Sequence, residues 1–379
     1  MSGVSVVVPV HNGELWLRDA IAAILAQSVR CPCEVLLVDD HSTDRSSRIL
    51  DEFAKHPSIR IVSAPGRGAA AAINAGVRAA NHPLIAQVDQ DVVLQPGWIE
   101  RLLLAFDDPM VGAAQGYYLS APGAGLFARV MNLDLEQRYA RIDNDTDHVC
   151  TGNSIYRAEA LHRVGLFDET LGYGYDNDVS YRLRAAGYRL RIDPAARAVH
   201  RWREGFVEYL TQQYGFGYGR IDLVAKHPHR AAGDAVSPGM MMMHPVALFA
   251  ALAWSAVAIV AALLGRSPRL WWTLAGGMTV GLTLERLYAG IAAARRFRQA
   301  TALAFPFVHL IRDLAWVGAI VMWTWRRLAR RPLRPSHSMT PRRDGLSRTA
   351  YYRAPHDQRA RTESDNRGAS APAPKRPRA

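Results

Sequence analysis

The sequence predicts an α/β fold, a doubly wound and mostly parallel sheet, followed by two or three C-terminal membrane helices and a disordered basic tail. Two observations lead to this prediction. Valine-rich runs alternate with stretches of helical periodicity before residue 90, and three long apolar runs follow residue 245. The chain of 379 residues is long enough for one large domain and an additional region. We expect a first domain at 1–230, a membrane region at 245–325 and a tail at 332–379.

Buried strands are expected throughout the first part of the chain. They lie at residues 4–10, 34–38, 59–62 and 84–88. The first of them, VSVVVPV, has the near-continuous apolar character of a strand that is buried on both faces. Helical spacing at 15–25 and an alanine-rich stretch at 66–80 lie between strands. Strands that alternate with helices in this way predict a parallel sheet with right-handed connections.

Polar side chains follow these strands at the points where the strands end. His11 follows the first strand, Asp40 the second, a glycine-containing turn at 63–68 the third, and Asp89 and Asp91 the fourth. The carboxyl ends of parallel strands meet at one edge of a sheet, and ligands bind there. The sequence therefore predicts a binding site at this edge.

Asp89 and Asp91 lie at alternate positions after a buried strand, within QVDQDVVLQPGW. Two carboxylates so placed can share a hard divalent cation that still has positions for phosphate oxygens. A solvated acidic turn is the alternative for such a motif taken alone. The other polar turns at the same edge favour the cation site.

The second part of the domain has a looser pattern. Expected elements are a strand at 111–119, a helix at 126–139, a short strand at 150–157, a helix within 172–187, and short strands at 190–192 and 198–200. Asp176 and Asp178 fall in the first turn of the helix within 172–187. Acidic side chains there are stabilised by the helix dipole, so capping and catalysis remain alternative roles for them.

The net charge of +12 comes largely from the region after residue 295. These basic residues flank apolar runs, which indicates a membrane surface and disfavours a nucleic-acid partner. Cys31, Cys33 and Cys150 fit neither a disulfide framework nor a zinc site, and we expect reduced thiols. No signal-peptide pattern precedes Val4, so we expect the first domain to stay in the cytoplasm.

Three apolar runs, at 246–264, 270–294 and 302–325, are candidate membrane helices. The first is uncharged, the second carries Glu285 and Arg286, and the third carries Arg312. Trp residues at the run ends favour membrane helices over a soluble core. Arginines directly after the third run prefer the cytoplasmic side. Either two runs cross and the third is interfacial, or all three cross against that preference.

Residues 4–229 resemble the family 2 glycosyltransferases, inverting enzymes with a nucleotide-sugar-binding GT-A fold. The resemblance rests on ordered motifs: VSVVVPVHNGE, EVLLVDDHSTD, GRGAAAAINAGVRAA, QVDQDVVLQPGW, TGNSIYRAEALHRVGLFDETLGYGYDNDVSYRLRAAGYRL, VHRWRE and QQYGFGYGRIDLVAKHP. The chain departs from the family at Ile73, where many members carry Arg. It also departs at Tyr175-Asp176, where a Glu-Asp pair is usual.

The resemblance implies a set of residues that bind the nucleotide sugar. Pro9, His11 and Asp40 are expected at the base and ribose. Asn74, beside Ile73, and Arg220, near the diphosphate, complete the set.

The resemblance also implies a metal site and a catalytic base. Asp91, with Asp89, is expected to hold Mn²⁺ or Mg²⁺ on the diphosphate, and Asp176 to be the general base. His200 either completes the metal site or is a buried structural histidine. A general base is needed because an acceptor hydroxyl is a poor nucleophile until its proton is removed.

The function that these residues favour is transfer of a sugar from a nucleotide donor to a hydroxyl of a lipid-linked or glycan acceptor, as in polysaccharide biosynthesis at the inner membrane. Alternatives are a polyprenyl-phosphate glycosyltransferase and a non-catalytic nucleotide-sugar-binding scaffold. The first of these needs no base, so Asp176 favours a hydroxyl acceptor. A dinucleotide-binding oxidoreductase is disfavoured because no GxGxxG follows the first strand. Too few apolar runs are present for the channel of a processive synthase.

Overall fold

A nine-stranded mixed sheet organises the N-terminal part of the chain in the computed structural model, which describes residues 3–331. The strands are β1 Val4–Val10, β2 Cys33–Asp39, β3 Ile59–Ser63, β4 Leu84–Val88, β5 Val92–Leu94, β6 Val111–Ser120, β7 Asp145–Thr146, β8 Asn153–Arg157 and β9 Arg189–His200. Their order is β3-β2-β1-β4-β8-β6-β9-β5, with β7 beside β9. The prediction of a disordered tail at 332–379 lies outside the described residues.

The first four strands pair in parallel, as their valine-rich sequences predicted. Val4 of β1 lies opposite Cys33 of β2 and Leu84 of β4. The side chains of Val7 and Val8, which point to opposite faces, are both fully buried. The mostly parallel α/β sheet of the prediction is confirmed in this half.

The second half of the sheet adds antiparallel strands. β8 lies antiparallel between β4 and β6, and β9 runs parallel to β6. The two short strands expected at 190–192 and 198–200 are one strand, β9. Its register against β6 jumps between Gly116 and Tyr117, so residues around Pro194 bulge while pairing continues on both sides.

Helices cover both faces of the sheet. They are α1 Leu17–Leu25, α2 Ser46–Phe53, α3 Ala69–Ala79, α4 Trp98–Leu103, α5 Leu126–Tyr139, α6 Ala158–Arg163, α7 Tyr175–Ala185 and α8 Phe206–Lys226, with 3-10 turns at Leu104–Asp107 and Pro228–Arg230. Ile21, Leu37 and Trp98 lie in the core on one face of the sheet. Ile73 and Val179 lie in the core on the other face. The carboxyl edge of the parallel strands is left uncovered by either layer, as expected for a doubly wound sheet.

Three long helices follow: α9 Gly239–Leu263, α10 Arg269–Phe297 and α11 Phe305–Leu328, the last preceded by a 3-10 turn at Ala300–Ala304. By length and composition, Gly239–Leu263 and Ala300–Leu328 are apolar enough to cross a membrane, with mean hydropathies of 2.4 and 1.5. The most apolar window of the first is 17% buried, whereas that of the second is 56% buried. The two segments therefore have different surroundings.

Helix α11 is buried mainly because it packs along α8 of the α/β domain. Gly217 of α8 lies so close to Trp316 that an added Cβ would come within 2.9 Å of the Trp316 Cα. Near the end of both helices, Trp323 Nε1 donates a hydrogen bond of 2.7 Å to Asp222 Oδ1. These contacts attach α11 to the domain along its length.

Charged side chains are buried where α11 meets α5 and α10. Arg312 pairs with Asp313 at 2.7 Å, and Arg286 of α10 lies 3.9 Å from Asp313. His309 Nε2 lies 3.7 Å from Asp134 Oδ1 of α5. Burying ionised groups is unfavourable unless they are paired, so this cluster holds the three helices in one arrangement.

Candidate active site

Asp89 and Asp91 lie at the carboxyl end of β4, as the sequence predicted. Asp89 Oδ1 accepts a hydrogen bond of 2.8 Å from Gln87 Nε2. Gly152 faces the same carboxylate with a φ of +85°, and an added Cβ would lie 2.4 Å from Asp89 Oδ2. Only glycine fits this close approach in the left-handed region. The loop before β8 therefore fixes the position of the Asp89 carboxylate.

The charges that act on Asp89 within the described residues are those of two other carboxylates, Asp91 and Asp176. Burial, and then the neighbouring charge of Asp91, raise the pKa of Asp89 to about 7. A bound divalent cation would relieve this repulsion and return the carboxylate to its ionised form. The electrostatics of the pair therefore fit a divalent cation.

His200 lies beside this carboxylate pair. In the sheet, Val92 of β5 lies opposite His200 at the end of β9. His200 Nε2 is 3.8 Å from Asp91 Oδ1, and its buried Nδ1 has no hydrogen-bond partner among residues 3–331. Burial lowers the pKa of His200, which favours the neutral imidazole that metal ions bind. Asp89, Asp91 and His200 are thus the residues that would hold Mn²⁺ or Mg²⁺.

The turns after β1 and β2 lie at the same edge, but hydrogen bonds already hold them. Asp40 accepts backbone N–H hydrogen bonds of 2.8 Å from Gly66 and Gly68. His11 Nδ1 lies 2.9 Å from the carbonyl oxygen of Asp40. Pro9 in β1 is next to Val38 of β2. The structure brings Pro9, His11 and Asp40 together at one edge, with Asp40 built into the loop.

Asn74 and Arg220 lie within local hydrogen-bond networks. Asn74 donates to the carbonyl oxygen of Phe167 at 2.8 Å and to Glu169 at 3.0 Å, and accepts from the Phe167 N–H. Arg220 donates to Asp234 and to the carbonyl of Arg230, both at 3.2 Å. These contacts tie α3 and α8 to their neighbouring loops. Contact of either side chain with a nucleotide sugar stays a prediction.

Asp176 lies in the first turn of α7, after Gly174 with a φ of +80°. Its Oδ1 accepts a hydrogen bond of 2.9 Å from the Asn177 N–H. Burial raises the pKa of Asp176, and the nearby His148 acts in the opposite direction. A half-buried carboxylate with a raised pKa is a better proton acceptor than an ordinary aspartate. Its neighbour Asp178, by contrast, is fully engaged with Arg182, Lys226 and His227.

His148 and Cys150 are site residues that the sequence reasoning missed. They lie between β7 and β8, in a loop without periodicity, and the structure brings them to Asp176. One ligand atom from each of the three residues lies within 4.8 Å of the others. The His-x-Cys spacing was the available sequence signal, but Cys150 was interpreted only as a reduced thiol. Its proximity to Asp176 depends on the packing of α7 on the sheet.

Comparison with known proteins shows what this architecture is similar to. The model of the family described as Glycosyl transferase family 2 matches residues 5–165. The pre-mycofactocin glycosyltransferase of Mycobacterium tuberculosis (strain ATCC 25618 / H37Rv) is 32% identical over 248 residues, which cover 63% of this chain and 51% of that protein. The succinoglycan biosynthesis protein ExoA of Rhizobium meliloti (strain 1021) is 23% identical over 339 residues, which cover 85% and 94%.

A solved structure gives the same answer for the fold. The mannosyltransferase PcManGT from Pyrobaculum calidifontis, in complex with GDP-Man and Mn²⁺, superposes with a TM-score of 0.57 at 19% identity, over 86% of this chain and 88% of that one. The fold is therefore GT-A-like. The N-terminal part of the chain has this α/β fold, and its residues 5–165 are similar to glycosyl transferase family 2. It spans about half the length of the first curated relatives that it matches.

Proposed function

We propose that this chain is an inverting, cation-dependent glycosyltransferase that moves a sugar from a nucleotide-diphosphate sugar to a hydroxyl of a lipid-linked or glycan acceptor. One observation carries the proposal. The carboxyl edge of the sheet has an acidic pair, Asp89 and Asp91, and a separate half-buried carboxylate, Asp176. The first suits a cation on a diphosphate and the second suits a base.

The donor is proposed to lie along the edge from β2 to β4. Pro9 and His11 would face the base and ribose, and Asp40 would hold the loop beside them, because the three residues lie together at the start of this edge. Asn74 and Arg220 would contribute through the loops that they hold. The mannosyltransferase from Pyrobaculum calidifontis, which has the same fold, is in complex with GDP-Man and Mn²⁺. That likeness supports a nucleotide-diphosphate donor and leaves the base and the sugar open.

The chain's own residues divide the work of the reaction between two positions. Asp91, Asp89 and His200 would hold the divalent cation, which when bound would stabilise the negative charge that develops on the leaving diphosphate. Asp176 accepts the proton of the acceptor hydroxyl as the hydroxyl oxygen attacks the anomeric carbon. Attack opposite to the leaving diphosphate in a single displacement inverts the anomeric configuration.

The C-terminal helices are proposed to attach the domain to the inner membrane from the cytoplasmic side. Large apolar side chains of α9 and α10 are exposed; they include Val246, Phe249, Ile259, Val280 and Leu284. Lipid would cover this surface. Helix α11 packs on α8 although it is apolar enough to cross, so we propose that α9 and α10 form a two-crossing hairpin and that α11 lies at the interface. Helix α10 is not one of the two described segments that are apolar enough by composition, so its exposed apolar side chains carry this part of the proposal.

This topology also agrees with charge. Arg326 and Arg327 end α11, and Arg330 and Arg331 follow it. An interfacial α11 keeps all of them on the cytoplasmic side, where basic flanks are favoured. Reporter fusions would test it. Fusion after Gly265 should report the outer side, and fusion after Arg331 the cytoplasmic side. An outer location for the second fusion would overturn the interfacial position of α11.

The function is tested with the full chain in detergent or membranes. A panel of nucleotide sugars would be screened for binding and Mn²⁺- or Mg²⁺-dependent turnover, with hydroxyl and polyprenyl-phosphate acceptors. Asp91→Ala should lose cation-dependent donor binding, and Asp176→Asn should bind donor but fail to transfer. Asp143→Ala, at an exposed position before β7, is the control.

Each alternative has its own outcome in this test. Transfer to polyprenyl phosphate that survives Asp176→Asn would establish the phosphate-acceptor enzyme instead. A donor that binds but is never turned over would identify a scaffold. Failure of every donor to bind in the presence of cation would overturn the nucleotide-sugar proposal itself.

A further inference from the structure

A histidine and a cysteine lie beside Asp176 in a cluster that shares no residue with the proposed Mn²⁺ or Mg²⁺ site. His148 Nε2 lies 3.5 Å from Cys150 Sγ. Ligand atoms of His148, Cys150 and Asp176 all lie within 4.8 Å of one another. None of the three residues belongs to the proposed Mn²⁺ or Mg²⁺ set. Hard cations prefer oxygen ligands, whereas a thiolate with an imidazole suits zinc.

The spacing of these atoms fits a tetrahedral zinc ion. Zinc bonds of about 2.3 Å to sulfur and about 2.0 Å to nitrogen, at a tetrahedral angle, separate the two ligand atoms by about 3.5 Å. The sulfur and nitrogen of Cys150 and His148 already have this separation. An Asp176 carboxylate oxygen lies within 4.8 Å of both ligand atoms and would be the third ligand. One position remains for water, as in zinc sites with three protein ligands.

The surroundings orient both soft ligands. His148 is 4% exposed, and its Nδ1 lies 3.6 Å from Asp234 Oδ1 without a hydrogen bond of normal length. Metal-binding histidines usually direct their other ring nitrogen to a carboxylate in this way. Asp234 is itself held by the Tyr181 hydroxyl at 2.6 Å. The Tyr139 hydroxyl lies 3.2 Å from Cys150 Sγ.

The ligands are also reachable. Cys150 and Asp176 are partly exposed, whereas His148 is buried behind them. A cation can therefore enter from the acceptor side of the edge. Binding would displace the protons of the thiol and of the imidazole Nε2.

We propose that His148, Cys150 and Asp176 form a zinc site, distinct from the Asp89–Asp91 site, whose occupation inhibits sugar transfer. The inhibitory part rests on the proposed role of Asp176 as the base. A carboxylate oxygen that is bonded to zinc no longer accepts a proton from the acceptor. The binding part does not depend on any activity.

Binding is tested first on the full chain, purified without a histidine tag and titrated with Co²⁺, a spectroscopic substitute for zinc. One equivalent should give a thiolate-to-cobalt absorption band that Zn²⁺ removes. The band should disappear in Cys150→Ser and persist in Cys33→Ser, a half-buried cysteine outside the cluster. No band in the wild type, or a band that survives Cys150→Ser, would overturn the site.

A second measurement needs no variant. Alkylation of the wild-type thiols by iodoacetamide can be followed by mass spectrometry of the peptides that contain Cys150 and Cys33. Zn²⁺ should slow modification of Cys150 at least tenfold and leave Cys33 unchanged. Equal protection of both cysteines, or of neither, would contradict the proposal even if Cys150→Ser does not fold.

Inhibition is tested at saturating Mn²⁺, with each variant compared to its own zinc-free rate. Zn²⁺ should inhibit the wild type and Cys33→Ser, and Cys150→Ser should need at least tenfold more zinc for the same inhibition. Equal inhibition of Cys150→Ser would show that zinc acts at Asp91, and would overturn the inhibitory role. If no donor is turned over, the proposed function fails, whereas the cobalt and alkylation results still decide whether the site exists.

Discussion

The turns after β2 and β4 both place aspartates at the carboxyl edge of the sheet, but their oxygens are in opposite states. Asp40 has both oxygens occupied by backbone N–H donors at 2.8 Å. Asp89 lies beside Asp91, and its pKa is raised to about 7 by burial and by that neighbouring charge. A carboxylate with its donors in place stabilises a loop, whereas one that faces another carboxylate is completed by a cation. The presence of an aspartate in a turn therefore does not by itself tell a loop-stabilising residue from a cation-binding one.

The largest effect is expected when the β4 turn loses Asp91. Asp91→Ala should lower kcat/KM for transfer by about 10²–10³-fold, since the charge on the leaving diphosphate loses its stabilisation. In cation-free buffer the Tm should stay unchanged or rise, because a like charge beside Asp89 is removed. Steady-state kinetics and thermal unfolding measure both quantities. A lower Tm with unchanged kinetics would mean that Asp91 stabilises its loop, as Asp40 does, and does not bind a cation.

The β2 turn should respond in the reverse way. Asp40→Ala leaves the N–H groups of Gly66 and Gly68 without their acceptor. The free energy of unfolding should fall by about 1.5–3 kcal/mol, the usual range for hydrogen bonds to a charged group. Denaturant titration measures this loss, and calorimetry of the folded variant should give an unchanged Mn²⁺ affinity. If Asp40→Ala were stable but no longer bound Mn²⁺, the β2 turn would be a cation-binding turn like the β4 turn.

The raised pKa of Asp89 predicts a pH dependence for the β4 turn. An unfolded aspartate has a pKa of about 3.9, so between that value and about 7 the folded chain retains a proton that the unfolded chain has lost. The free energy of unfolding of the cation-free protein should therefore decrease as pH rises through this window. Mn²⁺ competes with that proton, so its affinity should rise about fivefold from pH 6 to 7 and about tenfold from pH 6 to 8.

Calorimetry and Tm measurements with and without Mn²⁺ at pH 6, 7 and 8 would test this dependence. Asp89→Asn is the informative variant, because it has no proton to lose. Its residual Mn²⁺ affinity should change little with pH. A full tenfold change in Asp89→Asn would assign the titration to another group.

The smallest effect is expected in the turn after β1. Asn12 has a φ of 50°, and its Oδ1 accepts backbone hydrogen bonds from Thr43 at 2.7 Å and Asp44 at 3.3 Å. Asn12→Ala should lower the free energy of unfolding by about 1 kcal/mol. Asn12→Asp keeps the acceptor and should cost less. Equal losses in both variants, measured by thermal unfolding, would remove Asn12 from the set of loop-stabilising residues.

The first half of the sheet could be predicted because its information is local. Valine-rich runs such as Val4–Val10 are buried on both faces, and the rule that parallel strands end at a common edge then places Asp89 and Asp91 correctly. His200 could also be predicted as a site residue, because it lies in the VHRWRE motif of the family resemblance. Its position beside Asp91 follows from pairing between Val92 and His200, which no local pattern contains.

The rest depended on contacts between distant segments. His148 meets Asp234, which is remote in sequence, and Asn74 meets Phe167 and Glu169. Nothing in the local sequence of these loops indicates such partners. The single strand β9 was divided in the prediction because Pro194 interrupts its pattern, whereas pairing with β6 continues past the bulge. Contacts between distant segments therefore explain both the division of β9 in the prediction and the contacts of His148 and Asn74 that were missed.

The close contact between Gly217 and Trp316 fixes the spacing between α8 and α11, because there is no room for a side chain at Gly217. The hydrogen bond from Trp323 to Asp222 fixes the same two helices to each other near their ends. Under the proposed membrane attachment, this rigid pair would set the height of the catalytic domain above the membrane surface. We therefore expect a preference for acceptors whose reactive hydroxyl lies at that height.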